Sequence, residues 1–407
     1  MKSQMTVVQI NVVGKSLSTG RTTREMHEYF QEKRINSLIA TAQGNDCSDS
    51  YAISSRIRIR FDVLLSILTG LEGYHSKWQT KKFLNYLDYI KPDIVHLRNL
   101  HQSYINLGML LEYLAHRDIA TVVTLHDFWF LTGKCCNYNL FNCEKWKNGC
   151  GTCPALKYDA RRRWFDRTAK MWADKKKWFE AIPRLAVIGN SQWTTNMAKD
   201  SFLKCAQFID LIYNWIDFST FYPRESSNLR EKLQLTGKKI IMGVSSYWNI
   251  HGAKGLSSYF ELAHQMPSNY HIVLIGEFSD SYVLPENMTI LPSTRDSDVL
   301  AEYYSLADVY LNLSESETFG KAAAEAVCCG VPLIALNRTA NPEIIPPGAG
   351  CTIETSSPDE ILRALKGIFS KGKSFYWDLC LKHAHKNFDK KKNIKKYIDV
   401  YQKLLSK

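Results

Sequence analysis

Short apolar runs rich in β-branched residues alternate along this chain with longer mixed segments. In the first half the runs are "TVVQINVV", "NSLIATA", "DIVHLR", "TVVTLHD", "RLAVIGNS" and "FIDLIYN". The second half gives "KIIMGVSS", "HIVLIGE", "MTILPS", "DVYLNLS", "VPLIALN" and "GCTIE". Each run has strand length, and the intervals are long enough for helices, which is the signature of parallel sheets built from βαβ units. Two similar α/β sheets are therefore expected in succession. Pro223 and the polar run in "NWIDFSTFYPRESSNL" interrupt the strand pattern, so the boundary is expected near residues 216–228.

One interval has a different rhythm. From Arg161 to Ile182, "RRRWFDRTAKMWADKKKWFEAI" reads as a single helix, with Phe165, Trp172 and Phe179 seven residues apart and Trp164, Met171 and Trp178 beside them. Arg161, Arg162, Arg163, Arg167, Lys170 and Lys175 to Lys177 supply positive charge. The helix either turns its aromatic face to the core and a basic face to water, or lies at an anionic membrane surface.

Composition narrows the picture. A chain of 407 residues exceeds one ordinary core and suggests two to three domains, of which two is adopted here. With 45% hydrophobic and 23% charged residues it is an ordered globular protein. The opening "MKSQMTVVQINVVGKS" lacks the apolar core and cleavage site of a signal peptide, and no segment approaches the ~18 apolar residues of a membrane span. The expectation is a cytoplasmic protein, where clustered cysteines bind metal more often than they pair. A net charge of +12 favours an anionic partner such as a phosphorylated substrate, an acidic membrane surface or nucleic acid.

The most informative segment is "SESETFGKAAAEAVCCGVPLIALN", residues 314–337. A strand ends at a polar turn, "GKAAAEAVCCG" reads as a helix closed by Gly330, and "VPLIALN" begins the next strand. Glu317 then sits in the turn and Glu325 inside the helix. The amides of Phe319, Gly320 and Lys321, preceded by Thr318, fall at the helix start, where unpaired N–H groups and the helix dipole favour an anion such as a pyrophosphate.

Two glutamates eight positions apart around Thr-Phe-Gly resemble the E-x7-E motif of retaining nucleotide-sugar glycosyltransferases of family 4. "HGAKG" is similar to the Lys-Gly of that family, "INVVGKSLSTGR" to its amino-terminal loop, and "HAHKNFDKKKNIKKYIDVYQKLL" to its last helix. The resemblance implies the GT-B fold, two Rossmann-like domains facing a central cleft. It divides the chain into an acceptor-side domain, residues 1–218, a nucleotide-sugar domain, 225–385, and a helix, 386–407, that returns to the first. By the same resemblance Glu317 serves the transferred sugar, Glu325 the ribose hydroxyls and Lys254 the diphosphate leaving group, with no catalytic metal. Chemistry agrees with the last role, since breaking a glycosyl–phosphate bond drives negative charge onto the diphosphate. Two departures stand out: Asn249 occupies the place of a usual arginine, and Pro342 and Glu343 lack the usual preceding Gly-Gly.

In the first half, His126 ends the strand "TVVTLHD", and the family carries a histidine at a comparable strand end beside the donor sugar. Gly14, Ser18, Thr19 and Gly20 are read as the loop after the first strand, placed by resemblance across from the diphosphate. A cysteine-rich stretch, 133–154, follows His126. Cys150 and Cys153 form a C-x2-C knuckle that suits one tetrahedral ion, and Cys143 with Cys135 or Cys136 would complete four sulfur ligands. A subset of the family resembles this segment with a His-Asp-x-Trp-x-x-Thr-Gly-x-Cys start and a Gly-Cys-Gly-x-Cys-Pro end. That pattern selects Cys135 and leaves Cys136 spare. A structural zinc ion is the leading expectation, with disulfides, an iron–sulfur cluster or free thiols as alternatives.

The resulting expectation is transfer of a sugar, with retention, from a UDP- or GDP-sugar to a hydroxyl of a lipid-linked glycan in bacterial surface polysaccharide synthesis. An anionic membrane surface is a further expected partner; nucleic acid is not. The competing readings are a zinc-containing nucleic-acid-binding protein and the same fold with epimerase or phosphorylase chemistry.

Overall fold

A computed structural model describes residues 4–44, 50–156, 165–249, 252–278 and 282–406. The chain divides into two compact units, Met1–Ile212 with Ile394–Lys407, and Tyr213–Asn393. Each unit contains one wholly parallel sheet.

The first sheet is built from β1 (Thr6–Asn11), β2 (Asn36–Thr41), β3 (Ser50–Ala52), β4 (Ile94–Leu97), β5 (Ala120–Leu125), β6 (Leu185–Gly189) and β7 (Phe208–Leu211). Its order is β3-β2-β1-β4-β5-β6-β7. The second contains β8 (Lys239–Trp248), β9 (Tyr270–Phe278), β10 (Met288–Leu291), β11 (Val309–Asn312), β12 (Leu333–Leu336) and β13 (Gly350–Ile353), in the order β10-β9-β8-β11-β12-β13. Every expected strand is present. The three-residue β3 went unread because "SYA" is too short to show an apolar rhythm. Strands such as β4, β5 and β6 are buried along their whole length, which explains their continuous apolar runs.

In both sheets the strand order reverses direction at one point, between β1 and β4 and between β8 and β11. Ligands of open parallel sheets bind beyond the carboxyl ends of the strands at such a point.

The units change over at 212/213 and 393/394, where 218–225 and 385/386 had been expected. The reason is a local staple within the second unit. Ile216 donates its N–H to Phe388 O and bridges to Asp389, while Asn393 Nδ2 donates to Tyr213 O at 3.1 Å. The final helix, Lys390–Leu405, continues from Ile394 as part of the first unit, where Tyr397 and Tyr401 are buried against the sheet. Tyr401 Oη lies 2.8 Å from His96 Nδ1, and Tyr397 Oη 3.1 Å from Thr124 Oγ1.

The aromatic basic helix is shorter than its sequence suggests. It runs Thr168–Glu180, and Asp166 sets its start by accepting both the N–H and the hydroxyl of Thr168. Arg161, Arg162, Arg163 and Trp164 lie outside the described residues. Met171, Trp172 and Phe179 are buried, as the core-facing alternative requires. Lys175 is no solvated charge: it is buried and donates to the carbonyls of Trp129, Thr132 and Gly133.

Candidate functional site

In the second unit, β8 and β11 end side by side and deliver two loops to one place. The β11 turn holds Ser314 and Glu317, and the β8 loop holds Lys254. Lys254 Nζ pairs with Glu317 Oε1 and donates to Ser314 Oγ at 3.2 Å. The backbone fastens the same two loops, Glu315 N–H donating to Ala253 O at 2.8 Å. Gly255 makes this approach feasible. Its φ is +73°, and a Cβ there would lie 2.7 Å from Leu313 Cβ, so the Lys-Gly pair is fixed by sterics as well as by charge.

Glu317 is held from behind as well. Its N–H donates to Thr339 Oγ1 at 2.9 Å, and Asn341 Nδ2 donates to Ser314 O at 2.8 Å. Gly320, at φ +82°, then turns the chain into the helix Lys321–Cys328. The first intrahelical bond runs from Ala324 N–H to Gly320 O, so the amide dipoles of the preceding residues point out of the helix start. A cationic Lys254, a helix start and a polar turn therefore converge where an anion is favoured.

Glu325 lies inside that helix, as its place in the motif requires. It is buried, with Tyr304 Oη donating to its Oε2 at 3.1 Å. Phe319 is buried and packs edge-on against Phe388. Thr318 and Lys321 stand half-buried at the turn. Glu343, the acid of Pro-Glu, accepts from Tyr213 Oη at 3.0 Å.

In the first unit the expected glycine loop is corrected. The first helix is Leu17–Glu32, so Ser18, Thr19 and Gly20 occupy its opening turn and only Gly14 lies in the loop after β1. Thr19 O accepts the hydroxyls of Thr22 and Thr23, which closes that turn locally.

His126 follows β5 and meets a residue the sequence gave no reason to single out. Buried Arg98, just past β4, donates from Nη2 to His126 Nε2 at 3.1 Å and to Thr22 Oγ1 at 2.6 Å. A guanidinium only donates, so Nε2 accepts and the imidazole is neutral with its proton on Nδ1. His126 is thus arranged to offer an N–H rather than to take a proton. His96, beneath it on β4, is held neutral by burial and then by the nearby Arg98.

The cysteines divide in an unexpected way. Cys135, Cys143, Cys150 and Cys153 line one cavity of about 20 Å³, large enough for a single small occupant. Gly133 N–H donates to Cys150 Sγ at 3.3 Å. Burial pushes the Cys150 thiol up to about 11 and also raises Cys153. Among the described residues, the group with ligand atoms all within 4.8 Å of one another is instead His101, Asp127 and Cys136. The spare cysteine therefore faces the His101–Asp127 pair, which is 3.1 Å apart, and the four expected sulfurs share a cavity without closing to ligand distances.

With this geometry in view, residues 225–375 match the family described as "Glycosyl transferases group 1". Those residues are similar to a group 1 glycosyltransferase domain. The matched span lies wholly within the second unit and contains Lys254, Glu317 and Glu325. Among curated proteins, one similar to this chain is named for a colanic acid biosynthesis glycosyl transferase, WcaC of Escherichia coli (strain K12). It is 25% identical over 284 residues, 68% of this chain and 66% of that protein. The N-acetyl-alpha-D-glucosaminyl L-malate synthase of Bacillus anthracis is 27% identical over 34% of this chain and 38% of its own. The chain thus spans just under two thirds of the first relative and well under half of the second. The fold likeness extends over both units. Sucrose-phosphate synthase from Thermosynechococcus elongatus superposes with TM-score 0.71 at 16% identity, covering 99% of this chain and 100% of that one. HepE of Anabaena, in complex with UDP-glucose, gives 0.64 at 14% identity over 99% of each chain. The two parallel-sheet α/β units match the fold of GT-B glycosyltransferase structures.

Proposed function

We propose that this protein moves a sugar from a nucleoside diphosphate donor to a hydroxyl of a glycan acceptor, with retention of configuration. The observation that carries the reading is the junction of Lys254, Ser314 and Glu317 beside the start of the helix Lys321–Cys328. A diphosphate placed there takes Lys254 away from Glu317, and the ammonium and helix dipole stabilise the charge that develops as the glycosyl–oxygen bond breaks. The carboxylate released from the pair faces the sugar, whose positive charge it supports. Glu325, whose Oε2 accepts from Tyr304, is the carboxylate assigned to the ribose hydroxyls. No catalytic metal enters this scheme.

The HepE complex with UDP-glucose makes UDP-sugars the first donors to test, followed by GDP-sugars. The name of the colanic acid relative supports a lipid-linked oligosaccharide of a bacterial surface polysaccharide as acceptor, handled at the cytoplasmic side of the membrane. Cys135, Cys143, Cys150 and Cys153 would hold a structural zinc ion that orders the loop after His126. They line one small cavity, would have to draw closer to reach ligand distances, and as four thiolates would leave no open position for chemistry.

The test is release of nucleoside diphosphate from a panel of UDP- and GDP-sugars, with and without glycan acceptors, by the native chain and by Glu317→Gln. Acceptor-stimulated release that falls about 10²-fold or more in the variant is expected. Release independent of acceptor, or rearrangement of the donor sugar, would favour epimerase or phosphorylase chemistry instead.

A further inference from the structure

The helix Arg56–Thr69, "RIRIRFDVLLSILT", is amphipathic in the reverse sense. The residues it buries fully are polar, while partly buried Ile59 packs against the core. Asp62 and Ser66 are its buried members; Asp62 accepts from Ser76 Oγ at 2.6 Å, and Ser66 Oγ lies 3.0 Å from Ser103 Oγ. Its apolar residues face out: Ile57 is 80% exposed, Phe61 53%, Leu64 51% and Leu68 44%. The spacing i, i+4, i+7, i+11 confines these four to an arc of about 60° at 100° per residue. They form a stripe roughly 16 Å long.

A soluble surface helix is expected to place its apolar stripe on the core. Four large apolar side chains aligned in water signal a contact surface, whereas singly scattered ones do not. Two further exposed aromatic residues lie near the helix. The backbone of Phe165, itself 52% exposed, abuts Gly70 at the helix end, and Trp78, 59% exposed, lies under Arg58 and Lys82.

Charge decides what covers it. Arg56, Arg58 and Arg60 are exposed and flank the stripe on both sides, and the neighbouring helix Lys77–Ile90 adds exposed Lys77, Lys81 and Lys82. The one acid of the helix, Asp62, is turned inward. A second copy of the chain would set this basic rim against itself. An anionic bilayer satisfies both parts, with apolar side chains entering the acyl boundary and the basic rim meeting the headgroups.

We infer that the helix Arg56–Thr69, with Trp78 and Phe165, docks this protein on an anionic lipid bilayer in the plane of the interface. The docking face is distinct from the Thr168–Glu180 helix, whose aromatic residues are largely core. The inference does not depend on the transferase reading, and its test uses no sugar donor.

The test is co-sedimentation of the full chain with phosphatidylglycerol-containing and purely phosphatidylcholine vesicles, for the native chain, Phe61→Ser/Leu64→Ser and Arg56→Ala/Arg58→Ala/Arg60→Ala. Binding to the anionic vesicles, weakened by salt, is expected. The arginine variant should lose on the order of 100-fold in partitioning, and the serine variant more than tenfold. Because the altered side chains point into water, both variants should keep the native circular dichroism and melting temperature. Absence of vesicle binding by the native chain, or equal binding by the folded variants, overturns the inference. So does a concentration-dependent dimer that the serine variant abolishes, which would assign the stripe to self-association.

Discussion

Lys254 and Glu317 hold one another in place, and each is expected to have its partner in the reaction at hand. Lys254→Met removes the cation that meets the diphosphate and should lower turnover by about 10² to 10³ with little change in melting temperature, since its ammonium is partly exposed. Steady-state kinetics beside thermal unfolding checks both halves. Lys175 behaves oppositely. Three carbonyls accept from it, so Lys175→Met should cost about 3 kcal/mol or more by leaving them buried without a donor. Burial lowers Lys175 from 10.5 to about 7, so between those values the unfolded chain binds more protons. Stability from this group therefore rises with pH from about 7 to 10.5, with the full penalty present below 7. The native chain should gain on Lys175→Met when urea unfolding is repeated at pH 9 instead of 7. A flat difference would mean the three carbonyls retain the ammonium throughout. The glutamates were legible in sequence because their motif is contiguous. Arg98, Tyr304 and Thr339 were not, since each meets its partner only through a strand crossing or loop approach distant along the chain.

At the level of elements, strand runs and the Gly-bounded helix were legible because burial on both faces leaves an unbroken apolar run. Helix starts were less so: Leu17 opens a helix where a loop was read, and Asp166 delays the one beginning at Thr168. Sidedness was hidden most of all. The aromatic helix packs on the core, the first of its two expected orientations, while "RIRIRFDVLLSILT", with no such aromatic rhythm, carries the exposed stripe. Period alone fixes which residues share a face, and the neighbours decide which face is buried. The cysteine loop belongs to this scale. Its four cysteines line one small cavity, and if they close on a zinc ion purified protein should contain about one zinc per chain. Cys153→Ser should lower bound metal and melting temperature together, measured by elemental analysis and thermal unfolding; unchanged metal content would remove zinc from that cavity.

Across the whole molecule, the two-sheet organisation followed from the repeated strand rhythm, whereas the points of division did not. They depend on the staple of Ile216 to Phe388 and on the last helix rejoining the first unit from Ile394. That helix supplies Tyr397 and Tyr401 to the first core. Ending the chain at Asn393 should therefore destabilise the first unit by several kcal/mol, exposing two buried rings and the His96 side chain. Hydrogen exchange should show the loss concentrated in β1, β4 and β5, with the second unit's strands protected.

A nucleotide-sugar site in the second unit would be built on Lys254, Glu317 and Glu325. The most direct measurement is a thermal-shift panel of UDP, GDP, ADP and their sugar conjugates on the native chain and on Glu325→Ala. A ligand that binds only the folded state raises its stability by mass action. The expected result is a selective rise with one nucleotide, UDP first among them, that is lost in the folded variant. A folded native chain that shifts with none of them would contradict a nucleotide-sugar site there.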